Sequence, residues 1–406
     1  MIKSRVTKSI LIGMTLIGVG LLSYKIVIAE MDKQSNKEIS KGKNTSIANV
    51  NFNNNRNGIT LLYPHQVGGN ESESPTTYVV QVNRSGKVVN TKKIVDPDFS
   101  GITLAQKPNT PSKLYASNYG GAYPDFFYMF DLKKKRFVKK EISYFKHDVM
   151  LESISHYGSQ TWFQTLTSFK TGTQKPSKGK GFSRTFSNFD TQKNYETPGR
   201  FEPVSAPILS LKNHIVYASA GSDDKEYEKS AMVFLNKTTG KTNVYRKKVE
   251  PYAYTTLYGK EKNAYFASTD GWMIRINEDG KMVEKHFSSL EDTNYSSTEP
   301  MRMINSTQGV QVIVKSAREG ETADRHVLVK WSFNKNFGMK QLKPDFWKDD
   351  KWYKYLYFNP LTKKSYFVEF DPENSDKGKL IITSSNFKVI HSIPVEAPIG
   401  LDFAID

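Results

Sequence analysis

The sequence predicts an all-β fold, a seven-bladed β-propeller of four-stranded antiparallel blades whose ring is closed by the C-terminal strand. Three observations lead there. A hairpin signature recurs seven times, runs rich in Val, Ile, Tyr, Phe and Thr alternate with no helical period, and the two chain ends carry complementary unmatched strands.

The signature is clearest in AYFASTDGWMIRINEDGKMVE, where two strand-like runs flank Asp270-Gly271 and the second leads into Asn277 and Lys281. Aligned on the second turn, the units are VVQVNRSGKVV at Asn83, YMFDLKKKRFV at Asp131, SNFDTQKNYE at Asp190, VFLNKTTGKTN at Asn236, IRINEDGKMV at Asn277, SFNKNFGMK at Asn334 and IITSSNFKVI at Ser384. The anchors are 48, 59, 46, 41, 57 and 50 residues apart, within or slightly above the period of a four-stranded blade. Upstream of five of these turns stand strands such as SKLYASN, NHIVYASAG and KSYFVEF.

With strands lettered a to d within a unit, the a strands are GITLAQ, VMLESIS, APILSL, YTTLYG, MRMINS and KYLYF. That makes six a strands for seven b-c-d sets. The missing one is at the far end, where APIGLDFAID has no b strand after it, while Gly58–Tyr63 reads as a b strand with no a strand before it. Residues Ile399 to Ile405 are therefore expected to pair with Gly58–Tyr63, which removes an exposed sheet edge.

The unit AYFASTDGWMIRINEDGKMVE resembles the repeat of the quinoprotein-dehydrogenase-like, YVTN-type bacterial β-propellers. The resemblance implies architecture over residues 58–406. Members of that superfamily that bind pyrroloquinoline quinone commonly use an adjacent cysteine pair and a calcium site. This chain has no cysteine, so no cofactor is carried over.

Residues 1–29 read as a separate module: Lys3, Arg5 and Lys8, the apolar run Ile10 to Leu22, then Val27 and Ala29 at the cleavage positions of a secretory signal. An uncleaved transmembrane anchor fits the same residues, because Ile10 to Ala29 is long enough to span a bilayer and Lys25 can reach its outer interface. Either way, the chain beyond Glu30 is expected outside the cytoplasm, secreted or anchored to the cell membrane. Residues 30–57 are polar and Asn-rich, which predicts a flexible tether, and residues 58–406 form the propeller. Since the tether enters at a b strand, it is expected to emerge on the face of the a–b and c–d turns.

Net charge is +17, and the four cations of residues 1–29 leave about +13 on the remainder. Basic c–d turns and outer strands, such as Lys133 to Arg136, protect sheet edges and also suit an anionic surface. No nucleic-acid module is visible, and a monomer is expected.

The long insertions fall mostly in b–c loops, after Tyr63 and in blades three, four and six. Length gathered on one face predicts a binding surface for a protein, glycan or anionic surface polymer. The rival reading is an extracellular lyase or hydrolase working at the central channel. For that reading the residues of interest are polar breaks in inner strands, Glu152, Arg302 and Asp402, which bind a ligand or else neutralise one another inside a plugged channel. Trp347 and Trp352, in the d–a loop before blade seven, are candidate stacking platforms, whereas Tyr353, Tyr355 and Tyr357 read as packing. Recurrent serines Ser117, Ser219 and Ser268 belong to the scaffold. There is no nucleophile elbow, no paired histidine motif, and neither Asp371 to Gly378 nor Gly221 to Glu228 matches an EF-hand loop, so no catalytic residue and no metal are assigned.

Overall fold

The structure, a computed structural model, describes residues 46–53, 58–65, 76–96, 99, 102–106, 112–118, 126–142, 151–157, 160–165, 185–197, 201–203, 208–221, 231–245, 255–268, 271–294, 300–317, 324–372, 374 and 376–406. The segment Ile10 to Leu22, the cleavage position Ala29 and most of the b–c insertions lie outside them. Among the described residues no helix is long and apolar enough to cross a membrane. Seven antiparallel sheets form a seven-bladed β-propeller, with the chain divided into two compact units, Met1–Ile102 with Pro344–Asp406, and Thr103–Lys343.

The first unit holds blades one and seven. Blade one is ordered Phe403–Ile405, Gly58–Tyr63, Thr76–Asn83 and Val88–Val95, and blade seven Trp352–Asn359, Lys364–Phe370, Lys377–Ser384 and Val389–Glu396. The expected closure is present: Phe403, Ala404 and Ile405 pair with Leu62, Leu61 and Thr60, and the Asp402 N–H extends the ladder to the Leu62 carbonyl. The strand is shorter than Ile399 to Ile405. Pro398 has no N–H to give a ladder, Ala397 takes a left-handed φ of 44°, and Pro398–Gly400 close a single helical turn before pairing begins. Tyr357 fastens the short strand sideways. Its hydroxyl donates to the Ala404 carbonyl at 2.8 Å, and its ring lies between Tyr366 and Phe403, with centroids 4.6 and 5.2 Å away.

Part of the stretch read as tether is packed. Ile47, Val50 and Phe52 are buried, the Ile47 N–H donates to Asp96 Oδ2 at 2.8 Å, and Phe52 meets Phe403 edge-on. Apolar side chains at such close spacing bury with about 1.5–3 kcal/mol each, enough to order a short segment. The register also corrects the expected exit. Val95 pairs with Thr76, the first residue of strand c, so Asp96, and Ser46 beside it, stand at the end carrying the b–c and d–a connections.

The second unit holds five blades. Blade two is Ile102–Gln106, Lys113–Asn118, Phe126–Asp131 and Arg136–Glu141; blade three is Leu151–Tyr157, Gln160–Thr165, Thr185–Asn188 and Lys193–Glu196. Blade five is Thr255–Lys260, Asn263–Ala267, Trp272–Asn277 and Met282–His286; blade six is Arg302–Asn305, Gln308–Lys315, Arg325–Ser332 and Gly338–Leu342. Blade four has His214–Gly221, Ala231–Asn236 and Thr242–Tyr245, with an inner edge split between Phe201–Pro203 and Leu209–Ser210. Its expected a strand APILSL therefore pairs only through Leu209 and Ser210. Apolar layers join consecutive sheets, as where Trp162 and Phe186 meet Tyr217 and Val233, or Tyr258 and Tyr265 meet Trp331 and Phe333.

The recurrent turn residues act as side-chain acceptors. Oδ1 of Asn83, Asp131, Asn236, Asn277 and Asn334 takes backbone N–H groups of its own c–d turn at 2.8–3.0 Å, the arrangement that lets Asn or Asp hold a tight turn. Ser384 does the same through Oγ, to Lys388. Blade three departs from the alignment. Asn188, two residues earlier than the aligned Asp190, accepts from Thr191, while Asp190 accepts from the Thr161 N–H of the neighbouring strand end.

Candidate functional site

The four described candidates fall in both units. Asp402 is 8 % exposed, and its carboxylate is bound by the Lys354 ammonium. Lys354 is a polar residue in the alternating aromatic strand Trp352–Asn359, between Tyr353 and Tyr355, so one inner strand supplies the charge that its neighbour requires. Among the described contacts, Lys354 is the cation that meets the Asp402 carboxylate. Arg302 is buried at the start of the inner strand of blade six, in the second unit. Glu152 lies in the strand Leu151–Tyr157, and its side chain is outside the described residues.

Trp347, offered as a stacking platform, is already stacked on an aromatic neighbour. It is 5 % exposed and stacks on Tyr353 with ring centroids 3.8 Å apart and planes 19° from parallel. Tyr353 is held below it by three groups: its hydroxyl accepts from the Lys348 N–H at 2.9 Å and lies 3.1 Å from both the Phe346 carbonyl and Glu369 Oε2. Burial, then the nearby carboxylates, push the Tyr353 phenol well above its ordinary pKa, so it stays a neutral donor. A π-face already covered by Tyr353 is closed to a sugar on that side. Trp352 is half-buried, edge-on to Phe370 at 6.1 Å.

The sequence did not flag a second polar cluster, in the turns of blades three to five. Glu278 Oε1 accepts the Asn213 and His214 N–H groups at 2.5 and 3.1 Å, Oε2 accepts from Asn213 Nδ2, and His214 Nδ1 lies 3.3 Å away. Nearby, the Lys237 ammonium donates to Ser210 Oγ and the Leu211 carbonyl, and Ser210 Oγ donates to Gln160 Oε1. Burial lowers the Lys237 pKa, and the charge of Glu278 opposes that shift. The only signal in the sequence was Glu278 in the NEDG turn, indistinguishable there from a solvated acid. Both described bonds of this ammonium are aimed at the scaffold, so the cluster joins blades rather than offering a nucleophile.

Among the described residues, no group of three or more His, Asp or Glu side chains converges as metal ligands. Within the carboxylate-rich loop that begins at Asp371, that residue binds the Lys351 ammonium at 2.5 Å. Ser219 is buried and Ser268 Oγ accepts the Trp272 N–H at 3.2 Å, scaffold roles as expected, while the side chain of Ser117 is outside the described residues.

No protein-family model matches the chain, and no curated protein matches it either. Solved structures do. TolB from Acinetobacter baumannii is 12 % identical, with 79 % of this chain and 77 % of that one covered and a TM-score of 0.37. The Swd1 β-propeller domain of Myceliophteria thermophila is 11 % identical over 72 % and 86 %, with a TM-score of 0.40. The Pyrococcus horikoshii acylaminoacyl peptidase is 9 % identical over 87 % and 53 %, with a TM-score of 0.44. At these identities the likeness is one of fold alone, a β-propeller.

Proposed function

We propose that this chain is an exported, surface-tethered β-propeller that binds a partner, whether a protein, a glycan or an anionic surface polymer, through the face carrying its b–c and d–a connections. One observation carries the reading. In all seven blades the c–d turns are short and an Asn, Asp or Ser side chain accepts hydrogen bonds from its own backbone, so these turns are committed to holding the hairpins. The sequence concentrates its extra length on the other face. The pairing of Asp402 with Lys354 supports placing recognition there rather than on the inner strands.

The test replaces residues 66–75, 166–184 and 222–230, one at a time, with Gly-Ser linkers. Retention of the chain by intact cell envelopes should fall while the thermal transition is unchanged. Undiminished retention by all three variants would defeat the proposal.

A further inference from the structure

The outer hairpins of blades one and seven share a feature seen in no other described c–d hairpin. Lys87-Val88-Val89 and Lys388-Val389-Ile390 are near-identical tripeptides at the same place, the start of strand d. Both contain the same register break. Gln81 pairs with Asn90 but Val82 with Val88, which leaves Val89 as an extra residue; Ile382 pairs with His391 but Thr383 with Val389, which leaves Ile390. The c–d ladders of blades two to six run without a shift among the described residues.

A β-bulge re-aims the side chain it inserts. Here it turns aliphatic groups toward water: Val88, Val89, Val389 and Ile390 are 41, 68, 46 and 43 % exposed, four of the six large exposed apolar side chains among the described residues. The two hairpins touch, since a Cβ at Gly86 would come within 2.6 Å of Pro394 Cγ. Their charge is one-sided. Residues 83–95 and 377–395 contain no acid, while Arg84, Lys87, Lys92 and Lys388 are exposed around the aliphatic groups.

We propose that this double bulge is a docking edge for an anionic lipid bilayer, with Val89 and Ile390 entering the headgroup layer and the surrounding cations facing lipid phosphates. The charge is complementary to an anionic surface, and exposed aliphatic groups gain by leaving water only where an apolar phase receives them, which a soluble polyanion does not provide. The inference rests on the membrane-tethering part of the proposed function and not on the partner-binding part.

The absence of cysteine allows a clean test on the full chain. Val89→Cys and Ile390→Cys, each labelled with an environment-sensitive fluorophore, are mixed with vesicles of phosphatidylcholine alone or with phosphatidylglycerol added. The expected result is a blue shift, quenched by nitroxide lipid, in the anionic vesicles only. Combining Lys87→Ser, Lys92→Ser and Lys388→Ser should weaken that response at least about tenfold with the melting temperature kept. A silent probe on a chain that floats with neutral vesicles would overturn the docking edge while leaving the tether standing. A responsive probe on a chain that does not float with them would do the reverse. An equal shift with soluble polyphosphate and no lipid, or one that grows with protein concentration alone, would also overturn the proposal, in favour of a polyanion or a second copy.

Discussion

Lys354 and Asp402 form an ion pair between the inner strand of blade seven and the residue that leads into the closing strand, with Asp402 8 % and Lys354 22 % exposed at their side chains. Breaking a shielded pair from one side leaves a charge without its partner, which costs more than the pair contributes. Lys354→Met should therefore destabilise the chain by about 2–4 kcal/mol, and Lys354→Met with Asp402→Leu by clearly less. Chemical denaturation of the two variants measures the difference. Equal losses would show that the charges act independently.

Asp406 gives this closure an acid limit. Burial raises its carboxyl pKa, but hydrogen bonds from the Lys364 ammonium and the Tyr366 hydroxyl outweigh burial and hold it below the ordinary carboxylate value. A depressed folded-state pKa contributes stability that is complete above the unfolded value of about 3.9 and is lost as pH falls through the folded value. Asp406→Asn should thus lower the melting temperature at neutral pH, and the gap between variant and parent should close below about pH 4. A gap that stays constant down to strong acid would contradict this.

Glu278 caps two N–H groups of the adjacent blade's turn, and those groups are the quantity at stake in Glu278→Ala. Buried donors left without an acceptor cost about 1–3 kcal/mol each. The variant should lose about 2–4 kcal/mol, with faster amide exchange at Asn213 and His214. Exchange unchanged at those two positions would rule out the cap.

Two glycines in equivalent turns offer a matched comparison. Gly86 and Gly240 both have positive φ, +83° and +68°, but Gly86 faces Pro394 whereas nothing lies within 4 Å of Gly240. Gly240→Ala should cost about 1–2 kcal/mol for conformation alone. Gly86→Ala should cost more, because the Pro394 ring must also shift. Urea midpoints of the pair decide it.

The repeat made the blades legible because each c–d turn needs a side-chain acceptor at its start, and Asn or Asp at Asn83, Asp131, Asn236, Asn277 and Asn334 leaves that need in the sequence. Blade three misled by two residues because Asn188 and Asp190 are both competent acceptors and only the pairing of Thr161 separates their tasks. The stack of Trp347 on Tyr353 is a tertiary event, invisible in a polar stretch such as DFWKDDKW. Lys354 went unremarked in the sequence, since nothing local says that Asp402, which leads into the strand beside it, will face it. The bulges at Val89 and Ile390 went unseen for a related reason: Lys-Val-Val and Lys-Val-Ile alternate no worse than their neighbours, and the register break exists only against strand c.

The pairing of Thr60 with Ile405 has a consequence in time. The partners are 345 residues apart, 405 minus 60, so the inner edge of Gly58–Tyr63 has no strand to join until Phe403–Ile405 have been made. Among the described strands, b, c and d of blade one are made before the others and completed after them. Throughout synthesis they present an open hydrogen-bonding edge, with the aggregation risk such edges carry, and closure over so long a loop is expected to be the slow step of folding. Whatever guards a newly made copy of this protein has to guard its first blade.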